Sequence, residues 1–166
     1  MKASRHLEKL EHFKAYNPTA AELLKASQHE VEEADTLTRR QRVVCLVCCL
    51  IAAGIMIETL FFKFTAAPES VYIFTKVGLE PWGRIGSGVA ELIAAILILF
   101  PPTTWLGAGL ALAVMAGAIF SHLTILGIVV MDDGGLLFGL ALAVAVCSAV
   151  LLFLQRRRLP LIGAFL

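Results

Sequence analysis

The chain has 166 residues, of which 58% are hydrophobic and 16% charged, and its mean hydropathy is +0.82. Ordinary soluble domains are about 45–50% apolar, so this composition excludes that class and indicates a protein that is solvated by lipid. The chain contains 14 Lys and Arg against 13 Asp and Glu, and this near balance leaves no basic excess for binding nucleic acid.

Residues 1–42 are polar and charged throughout, and they predict a cytoplasmic helical arm. The run Asn17-Pro18-Thr19 divides the arm into two short helices, because proline cannot continue a helix. No apolar stretch lies near Met1, so we expect no cleavable signal peptide. The first apolar segment is therefore expected to direct the chain to the membrane.

Four apolar segments follow and predict transmembrane helices at residues 43–64, 85–100, 104–130 and 136–155. About 20 residues suffice to cross a hydrocarbon core of about 30 Å. The second segment is short, and Pro81-Trp82 predicts that its helix begins earlier. Turn sequences at Pro101-Pro102 and at residues 132–135 make consecutive helices antiparallel neighbours. The sequence predicts an all-α polytopic membrane protein built as an antiparallel four-helix bundle.

A short amphipathic helix is predicted between the first two spans, from Pro68 to Val77. Proline is favoured in a first helical turn, and Gly78 is a typical residue at which a helix ends. Its apolar residues recur on one face, which is the pattern of a helix lying in the membrane interface. Tyr72 and Trp82 are expected at headgroup depth.

Arginine clusters at both ends of the spans predict the orientation of the protein. Arg39, Arg40 and Arg42 precede the first span, and a basic tail of residues 156–166 follows the last. The first connection contains a sparser set, Lys63, Lys76 and Arg84. The positive-inside rule therefore places both termini in the cytoplasm, as an even number of spans requires.

Small residues recur every four positions in three spans. Helices in lipid associate by close backbone approach, so these rows are predicted to be the packing interfaces. The rows are Gly86, Ala90 and Ala94 in the second span, Gly109, Ala113, Gly117 and Ser121 in the third, and Gly135, Gly139, Ala143 and Cys147 in the fourth.

Glu58, Glu91 and His122 are ionisable residues inside predicted spans. Such residues are costly, by about 2.5–3.5 kcal/mol for an Asp, Lys or Arg at mid-helix, so each needs a reason. A rise of about 1.5 Å per residue places all three in the outer part of the membrane. We expect Glu91 and His122 to be neighbours that either hold the helix register by hydrogen bonding or orient a ligand, with Glu58 nearer the boundary. No close-spaced pair such as Glu-x-x-His supports a metal site.

The cysteines all lie in apolar stretches, so the sequence does not indicate an extracellular disulfide framework. Cys45 and Cys48 have C-x-x-C spacing, but reactive pairs usually lie at a polar helix start instead of inside an apolar run. We expect these two, with Cys49 and Cys147, to act as small packing residues.

Several motifs resemble the DoxX-like family of small four-helix membrane proteins. The similarity lies in Gly88–Leu92 with the apolar run to Pro101, in Met115–Ala118 leading to His122, and in the element Pro68–Gly78. It covers residues 43–154. Residues 1–42 depart from the family pattern, which usually starts close to its first span.

The family takes its name from a subunit associated with terminal oxidase and thiosulfate:quinone oxidoreductase complexes. The resemblance implies an inner-membrane accessory subunit that binds a quinone, lipid or small metabolite near Glu91, His122 and Glu58. The alternative is a component of a quinone-coupled oxidoreductase. The sequence contains no haem, flavin or iron–sulfur motif, so electrons would need a partner's cofactors, which favours the first interpretation. The expected partners are the lipid bilayer, a membrane protein or a second copy of the chain.

Overall fold

A computed structural model describes residues 37–156, together with Glu22 and Lys25. Most of the predicted arm and the basic tail from residue 157 onward therefore lie outside the described residues. Within the described range, all regular structure is helical, as predicted.

The described range contains helices α1 to α5, and a π-helical turn at His122–Leu126 continues α4. Helices α1, α3 and α5, and α4 with its π turn, are long and apolar enough to cross a membrane. The prediction of an all-α protein with four spans is confirmed. The helices are α1 Arg39–Phe64, α2 Pro68–Val77, α3 Trp82–Leu99, α4 Thr104–Ser121 and α5 Leu136–Leu154.

Two helix boundaries differ from those predicted. Helix α1 begins at Arg39 instead of residue 43. The third span was expected to reach Val130, but its α-helix ends at Ser121 and the π turn stops before Gly127. Gly127 has a φ of 85°, a conformation that suits glycine and cannot continue a right-handed helix. The apolar segment after Gly127 is therefore a loop, which hydropathy alone could not reveal.

Helix α2 has the predicted bounds and ends in a left-handed Gly78 with a φ of 79°. It packs on α1, α3 and the π turn, so it crosses one end of the bundle. We call this the Phe64 end, where α1 ends and α3 begins, and the opposite end the Arg39 end.

The spanning helices form a closed ring. Helix α1 packs against α3 and α5, and α4 packs against the same two helices. The ring order is therefore α1–α3–α4–α5, and the short connections make sequential helices antiparallel. Alanines fill much of the centre beside a few larger side chains, because small residues let helices in lipid approach closely. The most buried core residues are Ala52, Met56, Ala94, Ala95, Ile98, Ala108, Ala111, Val144 and Leu151.

The predicted small-residue rows are mostly not the packing interfaces. A Cβ atom added at Gly86, Gly109, Gly117 or Gly139 would meet no atom within 4 Å. The close approach is instead at Gly107, where a Cβ would lie 2.6 Å from the Ile98 nitrogen and 2.8 Å from the Ala94 oxygen. Ala94 belongs to a predicted row and is buried. A period of four shows which residues share a helix face, but not which face meets a neighbour.

Gly107→Ala is expected to destabilise the bundle, because the added methyl group overlaps backbone atoms of α3. Overpacking of this kind costs about 1–3 kcal/mol. Gly117→Ala is the matched control in the same helix, and its open surroundings should allow the gain of up to about 1 kcal/mol in helix propensity. Thermal unfolding in detergent, followed by circular dichroism, measures both. Equal stability of the two variants would contradict the Gly107 contact.

Candidate functional site

The interface between α1 and α3 contains a buried ion pair. Nζ of Lys63 donates to Oε2 of Glu91 at 2.6 Å, and their side chains are 14% and 4% exposed. The Thr59 hydroxyl lies 3.0 Å from the same carboxylate oxygen and 2.8 Å from the Met56 carbonyl oxygen. Thr59 and Lys63 lie four residues apart on α1, so both face Glu91. We call Thr59, Lys63 and Glu91 the α1–α3 polar cluster.

Local backbone geometry brings the two helices together at this depth. Gly88 lies about one turn before Glu91, and a Cβ there would lie 3.2 Å from the Phe64 ring. The missing side chain at Gly88 lets the end of α1 approach α3. Lys63, next to Phe64, then reaches Glu91.

Arg84 joins the same two helices closer to the Phe64 end. Its guanidinium is buried and pairs with Glu80, with Nη2 2.7 Å from Oε1. Nη1 also donates to the Lys63 backbone carbonyl. That carbonyl is among the last four of α1, which have no partner within the helix, and a cation is favourable there. Arg84, counted above with the first connection, therefore belongs to the bundle.

The α1–α3 polar cluster retains unused hydrogen-bonding capacity. An ammonium group has three N–H donors, and the one hydrogen bond of Lys63 Nζ to a described residue is to Glu91. Oε1 of Glu91 accepts no hydrogen bond from a described residue. Two polar side-chain atoms of the described residues are both fully buried and without a partner, Ser148 Oγ and Gln155 Oε1. Oε1 of Glu91 also has no partner but is not one of these two, so it is not fully buried. The cluster can both donate to and accept from a further polar group.

His122 lies elsewhere, between α4 and α5. Its Nδ1 is 2.8 Å from the Gly127 carbonyl oxygen, and its ring meets Phe138 edge-on at 5.6 Å. A carbonyl only accepts, so Nδ1 carries the proton. The Gly127 N–H donates back to the His122 carbonyl at 2.9 Å. His122 thus holds the π turn closed on Gly127.

The structure shows no hydrogen bond or ion pair among the three predicted site residues. No hydrogen bond joins Glu91 to His122: Glu91 bonds to Thr59 and Lys63, and His122 bonds to Gly127. Glu58 is exposed on α1 and has no hydrogen bond or ion pair with any described residue. Within residues 37–156, no three His, Cys, Asp or Glu side chains converge as metal ligands would.

Sequence reasoning missed Lys63 as the partner of Glu91. The backbone positions gave little signal for this pair, because Lys63 lies one residue from the end of α1 whereas Glu91 lies nine residues, about 13 Å, inside α3. Lys63 was assigned to the connection because it lies close to the predicted end of its span. A lysine side chain can reach back along the helix by several ångströms, so its Cα position understated its reach.

Asp133 organises the loop that leads into α5. Its two carboxylate oxygens accept the N–H groups of Val130, Gly135 and Leu137 at 2.8–2.9 Å. Burial alone would raise the pKa of Asp133, but these three donors and the nearby His122 lower it below the ordinary value of 3.8. The carboxylate therefore holds the start of α5 beside His122.

Comparisons of the chain with protein-family models, curated proteins and solved structures found no match. The class of the protein therefore rests on its own fold and composition. It is a multi-pass membrane protein whose α1–α3 interface contains a buried ion pair.

Asp133→Asn is expected to lower the stability of the protein at neutral pH by about 1 kcal/mol, the usual size of a lost helix N-terminal acceptor. Because the folded pKa is depressed, the contribution of the carboxylate is present above pH 3.8. It is lost as the pH falls through the folded pKa, so variant and wild type should converge in acid. Thermal unfolding as a function of pH measures this difference.

Asp132→Asn is the control for this substitution, because Asp132 is exposed and makes no hydrogen bond with a described residue. Asparagine also tolerates the positive φ of 59° at this position. Its stability should follow that of the wild type at every pH. A difference between Asp133→Asn and wild type that stays constant into acid would contradict the role of the charge.

Proposed function

We propose that this protein is an accessory subunit of a membrane assembly that binds a small apolar molecule with a carbonyl group, such as a quinone, at the α1–α3 polar cluster. The observation that carries the proposal is the buried Lys63–Glu91 pair, in which N–H groups of Lys63 and one carboxylate oxygen of Glu91 have no partner among the described residues. A carbonyl oxygen only accepts hydrogen bonds, and the Lys63 ammonium is the natural donor for it.

Stability alone is a weak reason for an ion pair at this position. Replacing a buried pair by apolar residues of similar volume is often neutral or stabilising, because desolvation offsets much of the attraction. Ionisable residues inside transmembrane segments typically mark a ligand or ion site. The pair is therefore better explained by a polar group that Lys63 and Glu91 recognise.

The surroundings of the cluster suit a ligand with an apolar body. Phe61, Phe62 and Phe64 are exposed at the end of α1, and Phe64 lies beside Gly88, one turn from Glu91. These rings offer a hydrophobic surface beside the polar atoms, which is the usual composition of a small-molecule site. Glu91 orients the Lys63 side chain through the ion pair, and Thr59 supplies a further hydroxyl.

The resemblance to the DoxX-like family supports an accessory role linked to quinones. The sequence has no motif for haem, flavin or an iron–sulfur cluster, so a partner protein would supply the electrons in any redox reaction. In this proposal His122 stabilises the π turn through its hydrogen bond to Gly127. Glu58 does not contact the ligand.

We place both termini in the cytoplasm and the protein in the inner membrane. The arginines at residues 39, 40 and 42 and at residues 156–158 support this orientation. The α1–α3 polar cluster then lies in the outer half of the membrane, where a lipid-soluble ligand can enter from the bilayer.

Binding of a short-chain ubiquinone to the purified full-length protein in detergent tests the function. The double variant Lys63→Met/Glu91→Met is expected to lose about tenfold or more in affinity, because a hydrogen bond to a charged group contributes about 1.5–3 kcal/mol. Removing both charges leaves no unpaired ion, so the fold should persist. Equilibrium dialysis measures affinity, and thermal unfolding measures stability.

Glu58→Gln is the matched control. It removes a carboxylate from α1, the helix of Lys63, and this carboxylate has no partner among the described residues. Its affinity should equal that of the wild type. Wild-type protein that does not bind the quinone, or a stable double variant that binds as well as wild type, would overturn the ligand site. Loss of stability without loss of binding would make the pair a helix clamp only.

Reporter fusions test the orientation. A fusion after Leu166 is expected to report the cytoplasm, and an insertion in the exposed turn at Asp132 should report the opposite side. An external signal from the Leu166 fusion would reverse the proposed topology. An insertion at Asp132 that reports the cytoplasm would instead contradict the four-span arrangement around the α4–α5 connection.

A further inference from the structure

The α1–α3 polar cluster presents one donating side chain and two accepting oxygens to a ligand. Nζ of Lys63 donates to Oε2 of Glu91 at 2.6 Å and has no other partner among the described residues. The single hydroxyl proton of Thr59 is directed at the Met56 carbonyl oxygen, 2.8 Å away, and at the same Oε2, 3.0 Å away. Toward a further molecule, the Thr59 oxygen can therefore only accept a hydrogen bond, as can Oε1 of Glu91.

The unpartnered carboxylate oxygen of Glu91 lies close to the Lys63 ammonium group. Oε1 and Oε2 belong to one carboxylate, so Oε1 lies beside the 2.6 Å contact between Oε2 and Nζ. The Glu91 side chain is only 4% exposed, yet no described residue donates a hydrogen bond to Oε1. A largely buried acceptor without a donor is unfavourable, and a ligand that donates to it removes this penalty.

A hydroxyl group matches this arrangement better than a carbonyl group does. The oxygen of a hydroxyl group can accept a hydrogen bond from Lys63 while its proton is donated to Oε1 of Glu91. A carbonyl oxygen can accept from Lys63 in the same way, but it has no proton to donate. Oε1 would then stay without a donor, and the two oxygens would repel each other.

We propose that the α1–α3 polar cluster distinguishes the two redox forms of its ligand and binds a quinol, which carries hydroxyl groups, more tightly than the corresponding quinone. This inference rests on the proposed function, because it concerns the ligand of the same site. A quinol is a quinone that has gained two electrons and two protons, and the carbon skeleton is the same in both. The exposed phenylalanines at the end of α1 therefore offer both forms the same apolar surface, and the polar cluster sets the difference in affinity.

Equilibrium dialysis of the purified full-length protein, in detergent and without oxygen, compares short-chain ubiquinol with short-chain ubiquinone. The quinol is expected to bind at least about tenfold more tightly, because it makes an additional hydrogen bond to a charged group. The dimethyl ether of the quinol is the ligand control. Its oxygens accept hydrogen bonds but cannot donate them, so it should bind no more tightly than the quinone.

The outcomes separate this inference from the proposed function. Equal affinity for the two forms, or tighter binding of the quinone, would overturn the preference and leave the proposed function standing. A dimethyl ether that binds as tightly as the quinol would do the same. A protein that binds neither the quinol nor the quinone would overturn the proposed function, and this inference with it.

Glu91→Gln tests the assigned acceptor. Glutamine has nearly the shape of glutamate, but its amide can present an N–H group where the carboxylate presents only an oxygen, so the ratio of quinol to quinone affinity is expected to fall to about one. Glu58→Gln is the matched control, because Glu58 is an exposed carboxylate on α1, and its ratio should equal that of the wild type. Thermal unfolding measures whether each variant is folded. An unchanged ratio in folded Glu91→Gln protein would overturn the role of Oε1.

A redox titration of the bound ligand provides a second measurement that needs no variant. The electrode supplies the two electrons, and the buffer supplies the two protons. Tighter binding of the quinol raises the reduction potential of the bound couple above that of the free couple, by about 30 mV for each tenfold preference. A bound couple with an equal or lower potential than the free couple would contradict the preference.

Discussion

The contact of α1 with α3 at the Phe64 end depends on charges that cannot remain unpaired in lipid. Lys63, Glu91 and Arg84 are all largely buried, and an isolated ion in this setting would cost several kcal/mol. Their mutual contacts leave only a narrow range of rotations and depths for the two helices. Glu91 must face Lys63, and Arg84 must reach both Glu80 and the end of α1. Apolar packing of α4 and α5 then completes the ring around helices α1 and α3.

The two ends of the bundle have different chemistry. The Phe64 end combines the charged residues with helix α2, the π turn and the Asp133 loop, and hydrogen bonds join these parts locally. The Arg39 end contains thiols, a hydroxyl and an amide that are embedded in an apolar interface. The first environment is charged and rich in hydrogen bonds, whereas the second is largely apolar. One small bundle thus offers two chemically distinct environments for small partners.

Close packing in this bundle depends on a few contacts instead of long glycine rows. Gly107 lets α4 approach the backbone of α3, and Gly88 lets α3 approach the end of α1. The other glycines named in the rows of α3 and α4 face outward, where lipid or another protein chain would contact them. Close approach between the spans therefore needs glycine at these two positions, where a backbone or a ring lies directly against it.

The sequence by itself determined the number of spans, the place of α2 and the all-helical class. These features depend on the length and hydropathy of each segment and on local signals such as Pro68 and Gly78, which act within a few residues. It also identified Glu91 and His122 as buried residues with specific hydrogen-bond partners, because ionisable groups inside a span are costly.

Only the tertiary structure decided the partners of those residues. It joined Glu91 to Lys63, bonded Arg84 to the Lys63 carbonyl, and placed the His122 ring against Phe138. Each of these contacts depends on how far a helix is rotated about its axis and on which helix lies beside it. Packing between residues distant in the chain sets that rotation, and hydropathy carries no information about it.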